Sequence, residues 1–148
     1  MFANYWPHLL AVAAGAGLTI QIGMNSTLSR TIGSTLWASV TNFTIGLMAL
    51  VICALALGGR IAPASIAQVP GWAWLGGLLG AGYVASATLL GPRLGALALL
   101  ALLLAGQLLS ALLVDQVGAL GFPRVPVTST RLLGAVLLVA GALLIVRR

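Results

Sequence analysis

The sequence predicts an all-α integral membrane protein of five transmembrane helices. Three observations point there. Hydrophobic residues make up 61% of the 148 positions and charged residues 5%, against about 45–50% and about 25% in soluble domains. The apolar residues fall into five continuous runs, and Gly and Pro punctuate the gaps between them. A water-soluble globular fold is excluded, and 1–148 reads as a single transmembrane domain. The runs are too long and too continuous for membrane strands, which are ~9–11 residues of alternating polarity. Helices satisfy their own backbone hydrogen bonds in lipid.

The first helix is expected over about 6–24. No basic residue precedes this run and no cleavage motif closes it, so it reads as a retained span rather than a signal peptide. The second covers about 36–57, the third 71–90 and the fourth 95–114, each near the ~20 residues that a span requires. The fifth, 131–146, is shorter, with Arg131 and Arg147 able to snorkel from its ends. The connections fall at Asn25–Thr35, Gly58–Pro70, the tight corner Gly91–Leu94, and Asp115–Thr130. Trp6, Trp72 and Trp74 stand at run ends, where an indole anchors at the headgroups.

The charges are Arg30, Arg60, Arg93, Arg124, Arg131, Arg147, Arg148 and a lone acid, Asp115, for a net charge of +6. These arginines are scattered between apolar runs and form no basic face for nucleic acid. They serve instead as topology signals and contacts to anionic lipid. With five spans, one membrane side receives Arg60, Arg124 and Arg131, and the other Arg30, Arg93, Arg147 and Arg148. A difference of one gives little orientation bias. Either other signals fix one orientation or the chain inserts both ways and pairs antiparallel with itself. Dual insertion is the favoured reading, because two five-helix chains of opposite orientation would rebuild the inverted repeat of many transporters. The expected fold is therefore half of an inverted-repeat transporter, completed by an antiparallel homodimer.

No ionisable residue lies well inside a run, so proton exchange on an intramembrane carboxylate has no obvious seat. Asp115, at the end of the fourth span, can cap the helix, pair with Arg124 or Arg131, or take part in coupling. One His, one Cys (Cys53) and one Asp assemble neither a metal-ligand cluster nor a nucleophilic triad. The expectation is a protein that is not an enzyme, with no metal and no cofactor.

Neutral polar residues inside the spans are more informative. Gln21 and Asn25, four apart, share a helix face, and so do Gln107 and Ser110, three apart. Asn42 lies in the second run, and Tyr83 with Ser86 and Thr88 in the third. Two roles are open to these groups. They can be interhelical glue, at about 0.6 kcal/mol per bond, or they can line a path for a solute. The candidate lining is Gln21, Asn25, Asn42, Tyr83, Gln107 and Ser110. Being neutral, it suits a small neutral or weakly cationic solute. Small residues form a second pattern: Gly76 and Gly80 have GxxxG spacing, and Gly134 and Gly141 repeat at seven, making a candidate dimer seam on the fifth helix.

Gly15, Gln21, Asn25, Leu28 and Gly33, then Phe43 and Gly46, then Gly106, Gln107, Ser110, Asp115 and Gly118, and finally Arg131, Gly134 and Gly141 together resemble the YdcZ-type small proteins of the drug/metabolite transporter superfamily. The resemblance covers nearly the whole chain. It implies a multi-pass protein of the bacterial inner membrane and a transport role, as an exporter. Members of that family occur as single copies, as oppositely oriented pairs and as fused halves. Related short multidrug exporters carry a glutamate in the first helix, where this chain has Gln21, so the resemblance transfers no proton-coupling role. The sequence leads to a small-molecule transporter working by alternating access. The competing readings are a membrane scaffold or accessory subunit and a narrow dual-topology channel.

Overall fold

A computed structural model gives the protein's structure over residues 5–60 and 62–147. Five helices are long and apolar enough to cross a membrane, and no strand occurs among the described residues. They are α1 (Trp6–Ile32), α2 (Thr35–Ala56), α4 (Leu75–Leu94), α5 (Ala96–Val117) and α6 (Ser129–Val146), with a one-turn α3 (Pro63–Ile66) in the second connection. A 3₁₀ turn, Gly71–Trp74, leads directly into α4. The chain forms two compact units that divide between Arg93 and Leu94. Arg148, one of the arginines counted for orientation, lies outside the described residues.

A helix lies over each of the five apolar runs, but two stretches expected as connections continue wholly or mostly as helix. α1 continues from Met24 through Asn25 to Ile32 and ends only at Gly33, whose φ of +79° is a left-handed helix stop. Polar residues do not break it because their hydroxyls turn back onto the helix: Thr27 donates to the Gly23 carbonyl at 3.1 Å and Thr31 to the Thr27 carbonyl at 3.1 Å. At 27 residues α1 is about 40 Å long, more than the ~30 Å hydrocarbon core, so it tilts or projects into the headgroups.

The expected corner at Gly91–Leu94 is the last turn of α4. Pro92 is tolerated there because it removes one ladder bond near the helix end rather than at its centre. The break comes at Gly95, with φ +81° and ψ 154°, a conformation that suits glycine. α5 likewise runs past Val114 to Val117 and closes at Gly118, φ +68°. Capping sets the other starts. Ser34 accepts from the Trp37 amide at 3.3 Å to open α2, and Thr128 accepts from the Arg131 amide at 3.3 Å to open α6.

Within the first unit α1 and α2 pack as an antiparallel hairpin, and within the second α5 and α6 do the same. The α6 seam is Ala135 and Ala142, both buried. Large apolar side chains on every span remain exposed, among them Leu10, Leu50, Leu79, Leu113 and Leu144. That is the surface of a protein whose solvent is hydrocarbon.

Candidate solute-binding site

The first unit gathers polar groups along its helix contacts. Ser29 and Thr35 share a 3.0 Å hydrogen bond at the closed end of the α1–α2 hairpin. Further along, the Gln21 amide donates to Asn42 Oδ1 at 3.5 Å. Between these rungs lie Asn25, Ser26, Ala38 and Ser39, all buried. Gln21 is near the middle of α1, so the seam runs from the middle of the helix toward the end that carries Arg30.

Helix α4 adds to the same unit. The Phe43 ring of α2 lies 4.0 Å from where a Cβ on Gly80 would stand, an ordinary van der Waals distance, so the side chain of Phe43 reaches α4 there. Tyr83 is half-buried one turn further on, and Ala87 and Thr88 are buried next along that stripe. Ser26 Oγ donates to the Thr88 backbone carbonyl at 3.4 Å. This carbonyl would normally accept from the amide four residues on. That residue is Pro92, which has no N–H, so Ser26 supplies a donor from another helix. The Thr88 hydroxyl is buried and has no partner among the described residues.

Four of the six expected lining residues, Gln21, Asn25, Asn42 and Tyr83, thus belong to the first unit, where Gln21 and Asn42 touch. Gln107 and Ser110 belong to the second unit, where both are exposed and neither forms a side-chain hydrogen bond among the described residues. Ser26, Ser39 and Thr88 were not among the candidates. The available signal was the i, i+4 pair of Ser26 with Ile22 on the face that carries Gln21 and Asn25, and the Thr88–Pro92 spacing.

The second unit holds the lone acid. Arg131 at the start of α6 donates through Nη2 to Asp115 Oδ2, forming an ion pair in which the side chains are 38% and 23% exposed. Arg131 Nη1 also donates to the Val125 carbonyl at 3.2 Å, and the Val125 amide donates to the Asp115 carbonyl at 2.8 Å. Gln116 accepts from the Val127 amide at 2.9 Å through Oε1, and from Arg124 Nε at 3.0 Å through its carbonyl. Of the two arginines considered for Asp115, Arg131 forms the pair.

At Gly134 and Gly141 nothing lies within 4 Å of an added Cβ, so both leave open space beside the buried Ala135 and Ala142. A groove of about 280 Å³ is lined by Leu109, Leu112, Leu132, Ala135, Val139 and neighbours, and another of about 310 Å³ includes Leu104, Leu137 and Gly141. Both are walled by apolar residues alone, so they fit acyl chains or a helix rather than a polar solute. Among the described residues no three His, Cys, Asp or Glu side chains cluster.

A family model described as "Putative inner membrane exporter, YdcZ" matches residues 6–144. The chain is 30% identical over 138 residues to the inner membrane protein YdcZ of Escherichia coli (strain K12), covering 93% of this chain and 92% of that protein. No solved structure matches it. The five apolar helices, their polar seam and these similarities lead to one conclusion: the chain belongs to the YdcZ family and is a multi-pass inner membrane protein.

Proposed function

We propose that the protein exports a small neutral or weakly cationic solute by alternating access, as an antiparallel homodimer in which each five-helix chain supplies half of an inverted repeat. The observation that carries this reading is the neutral polar seam of the first unit. Gln21 lies near the middle of α1, Asn25 one turn further on and Asn42 in the first half of α2, within apolar spans where an amide left in hydrocarbon is costly. Asn25 is buried yet forms no side-chain hydrogen bond among the described residues. Such a group is free to bind a solute's carbonyl or hydroxyl. The family description, an inner membrane exporter, agrees.

The homodimer draws support from Gln107, which is exposed halfway along α5. An amide at that depth needs cover, and a second copy can provide it, with the open strip at Gly134 and Gly141 as the seam. Dual insertion is tested with single cysteines in the 58–70 connection and appended at the carboxyl terminus of a Cys53→Ala protein, labelled from outside intact cells. Labelling of about half the molecules at both positions is expected for equal insertion both ways. Labelling at one position alone gives a fixed orientation and overturns antiparallel self-pairing.

A scaffold role is favoured by one observation: Gln21 and Asn42 already satisfy each other in part. Flux separates the two readings. Proteoliposomes containing the dimer are screened by counterflow against a panel of neutral and weakly cationic solutes. Saturable, Gln21-dependent exchange is expected of a carrier, and non-saturating flux of a channel. A folded dimer that moves nothing in the panel, with Gln21→Leu lowering only dimer stability, identifies the amides as glue.

A further inference from the structure

We propose that Thr88 and Ser26 form a binding site for a dehydrated sodium ion in the first unit. Six membrane hydroxyls in this protein, those of Thr19, Thr27, Thr31, Ser39, Thr41 and Thr44, turn back to the carbonyl four residues earlier. Thr88 has the same option on α4 and does not take it: its hydroxyl is closed off from solvent and has no partner among the described residues. Thr88 is 2% exposed, and a buried hydroxyl left without a hydrogen bond is unfavourable. Its backbone carbonyl is also deprived of an intrahelical donor, by Pro92. One residue therefore presents two oxygens that the helix does not use.

Ser26 faces the carbonyl of this pair and donates to it, with Oγ 3.4 Å from the Thr88 carbonyl oxygen; an ion between the two oxygens would replace that hydrogen bond. Two ligands at right angles around an ion with bonds of about 2.4 Å stand about 3.4 Å apart, as around calcium, and sodium is the common monovalent ion of that size. Asn25, buried beside Ser26 and without a side-chain partner among the described residues, can bring a further oxygen. All these donors are neutral oxygens, the set that suits a hard ion. No carboxylate is present to offset the dehydration of a divalent ion. Arg30, which donates to Thr27 Oγ1 at 3.3 Å, and Arg93 lie toward the helix ends and doubly disfavour a second positive charge. Carbonyls freed at helix irregularities, joined by side-chain oxygens, are a recognised way for membrane proteins to hold such an ion. As a coupling ion, sodium would fill the role left open by the lack of an intramembrane acid. That use rests on the transport reading, whereas the site itself does not.

The test is thermal unfolding of the purified full chain in detergent, in NaCl, KCl or choline chloride at constant ionic strength. Sodium is expected to raise Tm saturably, on the order of 3 °C at tenfold above half-saturation, with potassium and choline well below it. Thr88→Ser keeps both oxygens and is expected to keep the effect. Thr88→Val is expected to lose it, while Thr41→Val, whose hydroxyl is bonded to Trp37, retains it. Identical curves in the three salts overturn the site, and so does an undiminished sodium effect in Thr88→Val. If Thr88→Val does not fold, a loss of the sodium effect in Ser26→Ala supports the site and its retention there overturns it. Sodium stabilisation without solute flux supports the site while removing transport.

Discussion

Arg131 holds Asp115 across the connection between α5 and α6, and so ties the lone acidic side chain of the sequence to the first turn of the last span. The pair is embedded in backbone bonds: Arg131 also binds the Val125 carbonyl, whose own amide binds the Asp115 carbonyl. One guanidinium thereby closes the hairpin and orders the chain between its helices. Asp115→Asn and Arg131→Gln should each loosen this closure by about 1 kcal/mol, since both groups are partly exposed and water screens them. The effect is read as lower hairpin stability and faster proteolysis between residues 118 and 128. The exchange Asp115→Arg with Arg131→Asp should recover part of the loss. If Asp115→Asn removed flux and left stability and proteolysis unchanged, the acid would be a coupling group rather than a structural one.

Ser26 and Pro92 should show strong non-additivity through the Thr88 carbonyl. With proline present, Ser26 is the donor that this carbonyl has, and Ser26→Ala should cost about 0.6–1 kcal/mol in unfolding free energy, the range for interhelical bonds in membranes. Pro92→Ala restores the helical amide four residues on, and in that background Ser26→Ala should be near neutral. Reversible unfolding in mixed detergent micelles with choline as the cation measures the four proteins. Additive effects would mean that the serine acts through packing instead.

Gly118→Ala should be the most damaging of the glycine substitutions in the second unit. Gly118 has φ +68°, and an added Cβ would stand 2.9 Å from Arg124 Cβ and 3.0 Å from its backbone nitrogen. The left-handed backbone alone costs an alanine about 1–2 kcal/mol, and the clash displaces the Arg124 segment that binds Gln116. Gly134→Ala meets open space and should leave the chain as stable or up to ~1 kcal/mol more so. Thermal unfolding of both variants checks the contrast. If Gly134 lies on the proposed dimer seam, Gly134→Leu should weaken self-association without unfolding the chain, which crosslinking in membranes reads out.

The five spans were legible because twenty apolar residues have few uses outside a bilayer. Their ends were not. Asn25 to Ile32 looks like a connection by composition, yet Thr27 and Thr31 bond to the preceding turn, Ser26 and Ser29 find partners on neighbouring segments, and the helix continues. At Gly91 and Pro92 the sequence marks a break correctly in kind but early in place, since a proline in the last turn forfeits a single bond. The polar site was half legible. Spacing puts Gln21 and Asn25 on one face, and Gln107 and Ser110 on another, but periodicity does not say what that face meets. It meets α2 in the first case and stays open in the second. Thr88 was visible in the sequence as one polar residue of the third run, four before a proline, but its importance also needs a serine on a different helix, which spacing does not reveal.

Gln21 and Asn42 form the contact that best separates binding from packing. Their hydrogen bond is long, at 3.5 Å, and part-buried, so removing it should cost only about 0.6 kcal/mol, up to ~1–2. Gln21→Leu and Asn42→Leu should therefore still fold and assemble. If the seam binds solute, each should lower exchange in proteoliposomes about tenfold or more, because a site built to hydrogen-bond its ligand discriminates strongly once a partner is missing. Gln21→Asn, which keeps the amide but draws it back along α1, should fall between wild type and leucine. Gln107→Leu supplies the second comparison: exposed in the single chain, it should reduce exchange only if a partner copy brings it to the path. Equal exchange by all four proteins, with stability lowered in the first two, would assign the amides to helix packing and move the search for the solute path elsewhere.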